Sequence, residues 1–438
     1  MISQVKNDLS KPRNVELIHT FFTQNNLWHN ITPNRKAESC KDAAGKRNRL
    51  GNVGIPLIDE LKSNLGFFID ENGKKNYVLV HCRGNQLLNA EKLHKLFGNE
   101  FERISAAELQ DEFGLEYGVI NPLLAIRRPD LLQVFDQTVL NTYQPPYTMM
   151  TNAGHFEWGL EFKASELIKI LPNTKVADVI RDETKSQIKV HKVGILTGNS
   201  PESGIMLWES MNAFIRSKLK NQFRGDISFP CVIVESMPDM GLSMELAIRK
   251  NETRQTVLQG IEKLCQSGAT VVAIACNTTY YFAEEATAIC QRYGALLISM
   301  VDTVMDYIEN KQLKQFDFLG IKYVTDFDKW SHFKVLKKSY KVNLPSADDL
   351  KKINDLAFEV KRKKISGKGI NKLRDLINSA TENQYVIIAL TELSILLANQ
   401  KRQKKSNKVY VDTLSLLAER LADEYVEGIK NIYVNPQI

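Results

Sequence analysis

Residues 270–294 have the sequence TVVAIACNTTYYFAEEATAICQRYG, and this stretch decides the fold of the second half of the chain. Its first six residues form an apolar run typical of a buried strand, and the segment after Thr279 has helical periodicity up to Gly294. A strand followed by a helix is the repeating unit of a parallel sheet covered by helices. Cys276 therefore lies at the carboxyl end of a strand, where such sheets bind ligands.

Similar strand-like and helical patterns alternate on both sides of this stretch. We therefore expect an α/β fold for residues 191–438, with doubly wound parallel sheets, after a polar linker at 172–190. Residues 1–171 mix short strands with helices and are typical of an α+β domain. The apolar runs predicted as strands of the second half are KVGIL (192–196), ISFPCVIVES (227–236), TVVAIA (270–275), ALLISM (295–300), FDFLGI (316–321), YVIIAL (385–390) and KVYV (408–411).

The composition excludes several classes of protein. With 438 residues, 43% of them hydrophobic and 25% charged, the chain resembles globular proteins of two or three domains. It lacks an apolar run long enough for a membrane span, and its start lacks the apolar core of a signal peptide. The six cysteines form no CxxC pair and no His/Cys cluster at metal-ligand spacing. We therefore expect a cytoplasmic protein with reduced thiols, no metal and no membrane partner.

The net charge of +7 is unevenly distributed. Residues 1–49 hold nine Lys and Arg against four Asp and Glu, an excess of +5. Two further basic runs are KRKK at 361–364 and KRQKK at 401–405. Such runs are usually solvated, so they indicate no partner by themselves.

Cys276 has the position of a reactive thiol. At the start of a helix, free backbone N–H groups and the helix dipole favour the thiolate, which can act as nucleophile or base. The side chains of Asn277 and Thr278 could hold a carboxylate there. The alternative is a small buried residue that ends a strand, which is our interpretation of Cys265 and Cys290 on helical stretches.

A second junction has the same construction. The run YVIIAL (385–390) is followed by Thr391, Glu392 and another helical pattern. Two similar α/β halves that face each other would place both polar tips on one cleft. The sequence therefore predicts a site between two lobes.

Three segments, in order, connect the second half to a known family: GILTGNSPES (194–203), ACNTTYYFAEE (275–285) and ALTELSILL (389–397). With them the chain from about Val193 onward resembles the aspartate/glutamate racemases, which racemise amino acids without a cofactor. The resemblance implies two lobes related by a pseudo-two-fold axis, a homodimer, no pyridoxal phosphate, and a small acidic amino acid as substrate.

The resemblance also implies the roles of individual residues. In that family two thiols on opposite faces of the substrate remove and return the α-proton. Cys276 matches one of them. The residues that would contact the substrate are Ser200, Asn277, Thr278, Lys361, Thr391 and Glu392.

Two residues depart from the family pattern and leave alternatives open. Leu390 stands where the second cysteine is expected, and Met240 replaces an arginine that would hold a side-chain carboxylate. The second half can be a racemase with another second acid, for which Cys231 is a weak candidate. It can be a one-thiol enzyme of decarboxylation or α-proton exchange. It can also be a non-catalytic amino-acid-binding domain that regulates a tRNA deacylase.

The first half contains Lys62 in ELKSNLGFFIDENGKKNYVLV (60–80), then GVINP (118–122), VFDQTVL (134–140) and TNAGH (151–155). With these segments residues 1–171 resemble the YbaK-like and prolyl-tRNA-synthetase-associated domains, which deacylate mischarged tRNA. The resemblance implies a pocket for the aminoacyl ester and, as a partner, the acceptor end of an aminoacyl-tRNA. The residues carried over to this deacylase-like pocket are Lys62, Gly118, Asn121 and Gly154.

Two details of the first half follow from the residues alone. The excess of +5 in residues 1–49 could supply contacts to tRNA phosphates. His81 and Cys82, adjacent on a predicted strand, point to opposite faces and cannot form a catalytic dyad.

Overall fold

A computed structural model of the chain has two compact units, Met1–Lys189 with Ile429–Ile438, and Val190–Gly428. In the part of the chain that the structure describes, no helix is both long and apolar enough to cross a bilayer. The basic run at 401–405 and residues 363–364 of the other run lie outside that part. The described residues are 11–141, 143, 145–185, 188–362, 371, 375–377, 379–394 and 408–433.

The first unit combines sheets and short helices, as its mixed pattern predicted. Its helices are α1 Arg13–Gln24, α2 Cys40–Lys46, α3 Ala90–Phe97, α4 Ala106–Phe113 and α5 Ala164–Ile170. Its strands are β1 His29–Pro33, β2 Asn48–Arg49, β3 Asn52–Val53, β4 Leu61–Ile69, β5 Lys75–Arg83, β6 Glu102–Arg103, β7 Leu132–Asp136, β8 Met149–Asn152, β9 Trp158–Phe162 and β10 Thr174–Ala177.

Two sheets organise this unit. One has the antiparallel order β1-β9-β8, and the other has the mixed order β10-β7-β5-β4-β6. The core between sheet and helices includes Phe22 of α1, Phe135 of β7 and Phe162 of β9, all completely or almost completely buried. Burial of such aromatic side chains is the main stabilising contribution in a unit of this size.

The polar segment at 172–190 was expected to be a linker, and this is wrong for its first part. Residues 174–177 form β10, which pairs in parallel with β7. Val179 and Ile180, which follow β10, are completely buried. As an edge strand with Lys175 and Val176 exposed, β10 has no apolar run to reveal it in the sequence.

The second unit consists of alternating strands and helices. Its strands are β11 Val193–Thr197, β12 Val232–Ser236, β13 Val271–Ile274, β14 Leu296–Leu297, β15 Gln315–Leu319, β16 Lys341–Asn343, β17 Tyr385–Ile388 and β18 Val409–Asp412. Its helices are α6 Pro201–Leu219, α7 Lys250–Gln266, α8 Ala283–Arg292, α9 Met300–Asn310, α10 Lys322–Thr325, α11 Leu336–Ser339, α12 Ala347–Arg362 and, as far as Gly428, the helix Thr413–Tyr433.

These strands form two parallel four-stranded sheets with the same topology. The first has the order β12-β11-β13-β14 and the second β16-β15-β17-β18. All neighbouring strands in both sheets run parallel. The repeated order confirms the predicted α/β class with two similar lobes, here called lobe 1 (β11–β14) and lobe 2 (β15–β18).

The strand predicted over 227–236 is shorter than expected. It begins at Val232, because Gly225–Ser228 form a 3-10 helix and Pro230 has no N–H to donate to a neighbouring strand. Cys231 is exposed and immediately precedes the strand, so it lies at the amino end of β12. The suggestion that Cys231 replaces the missing thiol is therefore wrong, because a site at the carboxyl ends of the strands is out of its reach.

Candidate functional site

Cys276 follows the central strand β13 of lobe 1. All four residues of β13 are buried, and the chain then turns through Ala275 into the 3-10 helix Thr278–Phe282, which leads into α8. The hydroxyl of Thr279 donates to the carbonyl oxygen of Cys276 at 3.2 Å and fixes this turn. The Cys276 side chain is 3% exposed, so its sulfur is shielded from bulk water.

The sulfur has a polar neighbour from the adjacent strand β11. Asn199, two residues beyond β11, donates from Nδ2 to Sγ of Cys276 at 3.2 Å. Gly198 adopts φ +139°, and a Cβ there would collide with the backbone of Met237. Asn199 is not among the residues predicted for the site. Its position just after β11, the strand next to β13, is the signal that could have identified it.

Lys361, in the last turn of α12, contacts the same Asn199. Its Nζ donates to the carbonyl oxygen of Asn199 and, at 2.7 Å, to Oδ1 of that residue. Nζ also lies 3.0 Å from Oε1 of Glu392 in an ion pair that lacks the alignment of a hydrogen bond. The Lys361 side chain is 20% exposed and that of Glu392 only 2%, so the pair is largely removed from solvent.

The tip of lobe 2 contains the other predicted residues. Leu390 is 5% exposed and presents a hydrocarbon side chain. Beside it, the hydroxyl of Thr391 donates to Oε2 of Glu392 at 3.3 Å. Cys276, Asn199, Lys361 and Glu392 therefore form a continuous set of contacts between the lobes, which we call the polar bridge.

Asn277 joins the two lobes at a second point. Its Oδ1 accepts from the hydroxyl of Thr413 in lobe 2 at 3.0 Å. Its Nδ2 is buried and has no hydrogen-bond partner among the described residues. Because an unpaired buried amide is costly, this donor is a candidate contact for a ligand.

The remaining residues singled out from the sequence belong to lobe 1. Ser200 precedes α6, and its hydroxyl donates to Oε2 of Glu202 at 3.1 Å. Thr278 is buried at the start of its 3-10 helix. Met240 is completely buried and adds no charge to the site.

The other buried cysteines have no such setting. Cys265 donates to Cys290 with 3.9 Å between the two sulfurs, and burial raises the pKa of the Cys290 thiol to about 12. Burial also raises the pKa of Cys82 in the first unit, to about 11. These groups remain protonated thiols at neutral pH, as expected for core cysteines.

The first unit brings together part of the predicted deacylase-like pocket. Asn121 donates from Nδ2 to Oδ1 of Asn152 at 2.9 Å, and that oxygen also accepts from the backbone N–H of Gly154 at 3.0 Å. Asn121 and Gly154 line a small open apolar cleft with a volume of about 70 Å³, together with Leu17 of α1 and Leu124. The cleft has apolar walls and a few polar groups, as small-molecule sites do.

Two predicted pocket residues lie elsewhere. Lys62 is not among the residues that line this cleft, and its Nζ donates to the carbonyl oxygen of Gln86. Gly118 has φ +94°, and a Cβ there would lie 2.9 Å from the ring of Phe156. Gly118 therefore shapes the loop that carries Asn121 and does not line the cleft itself.

His81 and Cys82 on β5 do not form a dyad. His81 contacts Ser63 at 3.0 Å and Gln133 at 2.9 Å through its two ring nitrogens. Burial lowers the pKa of His81 to about 3, so the ring is neutral at physiological pH.

Comparison with known proteins supports the resemblance of the first half. The family model of the aminoacyl-tRNA editing domain matches residues 65–155, which include Gly118, Asn121 and Gly154 but not Lys62. No curated protein matches the chain.

Solved structures resemble each half separately. A candidate Asp/Glu racemase from Yersinia pestis is 20% identical, with 54% of this chain and 100% of that chain covered and a TM-score of 0.43. The aspartate racemase of Picrophilus torridus is 15% identical, with 56% and 100% covered and a TM-score of 0.44. A candidate trans-editing enzyme for prolyl-tRNA synthetase is 18% identical, with 39% and 99% covered and a TM-score of 0.30. Residues 65–155 thus match the aminoacyl-tRNA editing domain, as their resemblance predicted, and about half of the chain is similar to solved racemase structures.

Proposed function

We propose that the second unit is a cofactor-independent enzyme of the amino-acid racemase type, which acts on a small acidic amino acid such as aspartate or glutamate. The observation that carries this proposal is the polar bridge. A thiol at the carboxyl end of a parallel strand and an ammonium group from the same unit both contact the side chain of Asn199. A base and a cation that contact the same side chain suit removal of an α-proton next to a carboxylate.

The groups around the polar bridge suit the charged ends of an amino acid. The substrate carboxylate would accept from the unpaired Nδ2 of Asn277 and from the backbone amide of Thr278. The substrate ammonium would contact the buried carboxylate of Glu392 beside Thr391. Ser200, which precedes α6, would contact the substrate from the side of lobe 1.

In the proposed reaction Cys276 removes the α-proton as a thiolate. The electron pair left on the α-carbon delocalises into the substrate carboxylate, whose developing charge is stabilised by the N–H donors that bind it. Return of a proton to the opposite face inverts the centre. Return to the same face gives exchange without inversion, as a one-thiol enzyme would do.

Incubation of each enantiomer of aspartate and glutamate in D2O tests this function. α-Deuteration and optical rotation are followed together in the wild type and in Cys231→Ser, a control at the exposed cysteine. Exchange with inversion identifies a racemase, and exchange with retention a one-thiol enzyme. Binding without exchange would identify an amino-acid-binding domain and overturn the enzyme proposal.

For the first unit we propose hydrolysis of mischarged aminoacyl-tRNA. The proposal is supported by the editing-domain match and by the cleft between Asn121 and Gly154. Lys62, which does not line this cleft, would act as a cation near a part of the substrate that extends beyond it, the ester or the terminal phosphate. We expect Asn121→Ala to slow deacylation of a mischarged tRNA, whereas Asn72→Ala in an exposed turn leaves the rate unchanged. Equal rates in both folded variants would contradict the assignment of the cleft.

The racemase resemblance adds a homodimer in the cytoplasm to this proposal. The two activities would then concern one amino acid, free and esterified to tRNA. Sedimentation velocity of the full chain measures the oligomeric state, and a monomer at micromolar concentration would remove the dimer from the proposal.

A further inference from the structure

We infer that Lys361 is the second acid/base of the site and takes over the role of the thiol that Leu390 cannot supply. This inference rests on the proposed function of Cys276. Its basis is the position of the Lys361 Nζ, which contacts Oδ1 of Asn199 while the sulfur of Cys276 contacts Nδ2 of the same carboxamide.

The carboxamide of Asn199 marks the space between the two groups. Its Nδ2 lies 3.2 Å from the sulfur and its Oδ1 lies 2.7 Å from Nζ. In our proposal the substrate displaces this side chain, and its α-carbon, planar after loss of the proton, turns one face to Sγ and the other to Nζ.

The surroundings supply the charge that a lysine acid requires. The carboxylate of Glu392 lies 3.0 Å from Nζ and compensates the ammonium charge within a largely buried site. Thr391, the other polar group at this tip, already donates its hydroxyl hydrogen to Glu392. Leu390 has no transferable proton. Among the described residues of the polar bridge, Lys361 is therefore the proton donor available besides Cys276.

The reaction balances with these two groups alone. The Cys276 thiolate forms an S–H bond as the α-C–H bond breaks, and the electron pair passes into the substrate carboxylate. An N–H bond of the Lys361 ammonium then breaks as a new C–H bond forms on the opposite face. The enzyme is left with a thiol and a neutral amine, and transfer of one proton from sulfur to nitrogen through solvent restores it.

Lys361→Arg separates proton transfer from charge. The guanidinium keeps the positive charge next to Glu392 but does not release a proton at neutral pH. We expect inversion of aspartate or glutamate to fall by about 100-fold or more, while KM and the α-deuteration by Cys276 change by only a few-fold. Lys352→Ala, at an exposed position of the same helix, is the matched control and should match the wild type.

Chemical rescue gives an independent readout. In Lys361→Ala, added methylamine should restore inversion in proportion to its concentration, whereas methylguanidine, which carries charge without a transferable proton, should not. Full inversion by Lys361→Arg, or equal rescue by both compounds, would show that Lys361 supplies charge alone. Either result would overturn the inference. Wild-type exchange with retention also overturns it and leaves the one-thiol function intact. Absence of any exchange in the wild type would instead remove the proposed function itself.

Discussion

The two lobes of the second unit share their backbone and differ in the side chains at one strand end. In lobe 1 the N–H of Ala275 donates to the carbonyl of Leu196 at 2.8 Å, and in lobe 2 the N–H of Ala389 donates to that of Leu319 at 2.7 Å. These equivalent bonds follow strands of equivalent order, β13 and β17. The next residue is Cys276 in one lobe and Leu390 in the other.

The difference shows that the repeat preserves geometry while the chemistry is divided between the lobes. Lobe 1 presents the sulfur, and lobe 2 presents the buried carboxylate of Glu392 with Lys361 as its counter-ion. In our proposal an asymmetrical pair of thiol and amine takes the place of the symmetrical pair of thiols expected from the racemase resemblance.

Loss of the lobe 1 sulfur should have the largest effect. Cys276→Ala removes the proposed base, so we expect α-proton exchange to fall by about 10²- to 10⁴-fold, the usual contribution of a positioned acid or base. The measurement is proton NMR of the α-position in D2O. Exchange at the wild-type rate in the folded variant would place the base elsewhere, and Cys231→Ser again serves as the control.

The turns that follow β11 and β15 allow a comparison of stability. Gly198 follows β11 with φ +139° and a blocked Cβ position, whereas Gly320 follows β15 and its Cβ would lie 2.9 Å from a methyl group of Val324. We expect Gly198→Ala to lower the free energy of unfolding by roughly 3 kcal/mol or more, and Gly320→Ala by about 1 kcal/mol. Urea unfolding measures both, and equal losses would contradict the strain assigned to the first turn.

Much of this architecture could be predicted from the apolar runs in the sequence. The apolar runs that became β11, β13 and β17 are completely or largely buried strands in the structure. The sequence did not reveal β10 and β16, because an edge strand can be short and polar. The apolar pattern also placed residues 227–231 in a strand, but the observed strand begins at Val232.

The site was predictable where the residues adjoin a strand end and not where they meet across the fold. Cys276, Asn277 and Thr391 lie at the tips that the pattern indicated. The contacts of Lys361 with Asn199 and with Glu392 join segments far apart in sequence, and no periodicity encodes them. Lys361, the first residue of a basic run, thus lies in the polar bridge with its side chain only 20% exposed.

The ion pair of Lys361 and Glu392 in lobe 2 should stabilise the folded state. Glu392→Gln keeps the shape of the side chain but leaves Lys361 without its counter-ion, so we expect a loss of roughly 2 kcal/mol in the free energy of unfolding. Glu419→Gln affects a more exposed ion pair with Lys218 and should cost less than about 1 kcal/mol. Urea unfolding of the two variants side by side is the measurement. If Glu392→Gln loses no more unfolding free energy than Glu419→Gln, the pair of Lys361 and Glu392 is as solvated as the surface pair.

Restoration of the missing sulfur should have the smallest effect. Leu390→Cys places a thiol at the position equivalent to Cys276, as the matching hydrogen bonds of Ala275 and Ala389 define it. Since Lys361 already supplies a proton there in our scheme, we expect inversion to rise by only about tenfold, equivalent to about 1.4 kcal/mol in the barrier. In a Lys361→Arg background, the same change should restore most of the inversion, because the new thiol then replaces the lost acid. Polarimetry with each enantiomer measures both. If Leu390→Cys folds and alters inversion in neither background, the residue does not face the α-carbon, and the chemical equivalence of the two strand ends is lost despite their common backbone.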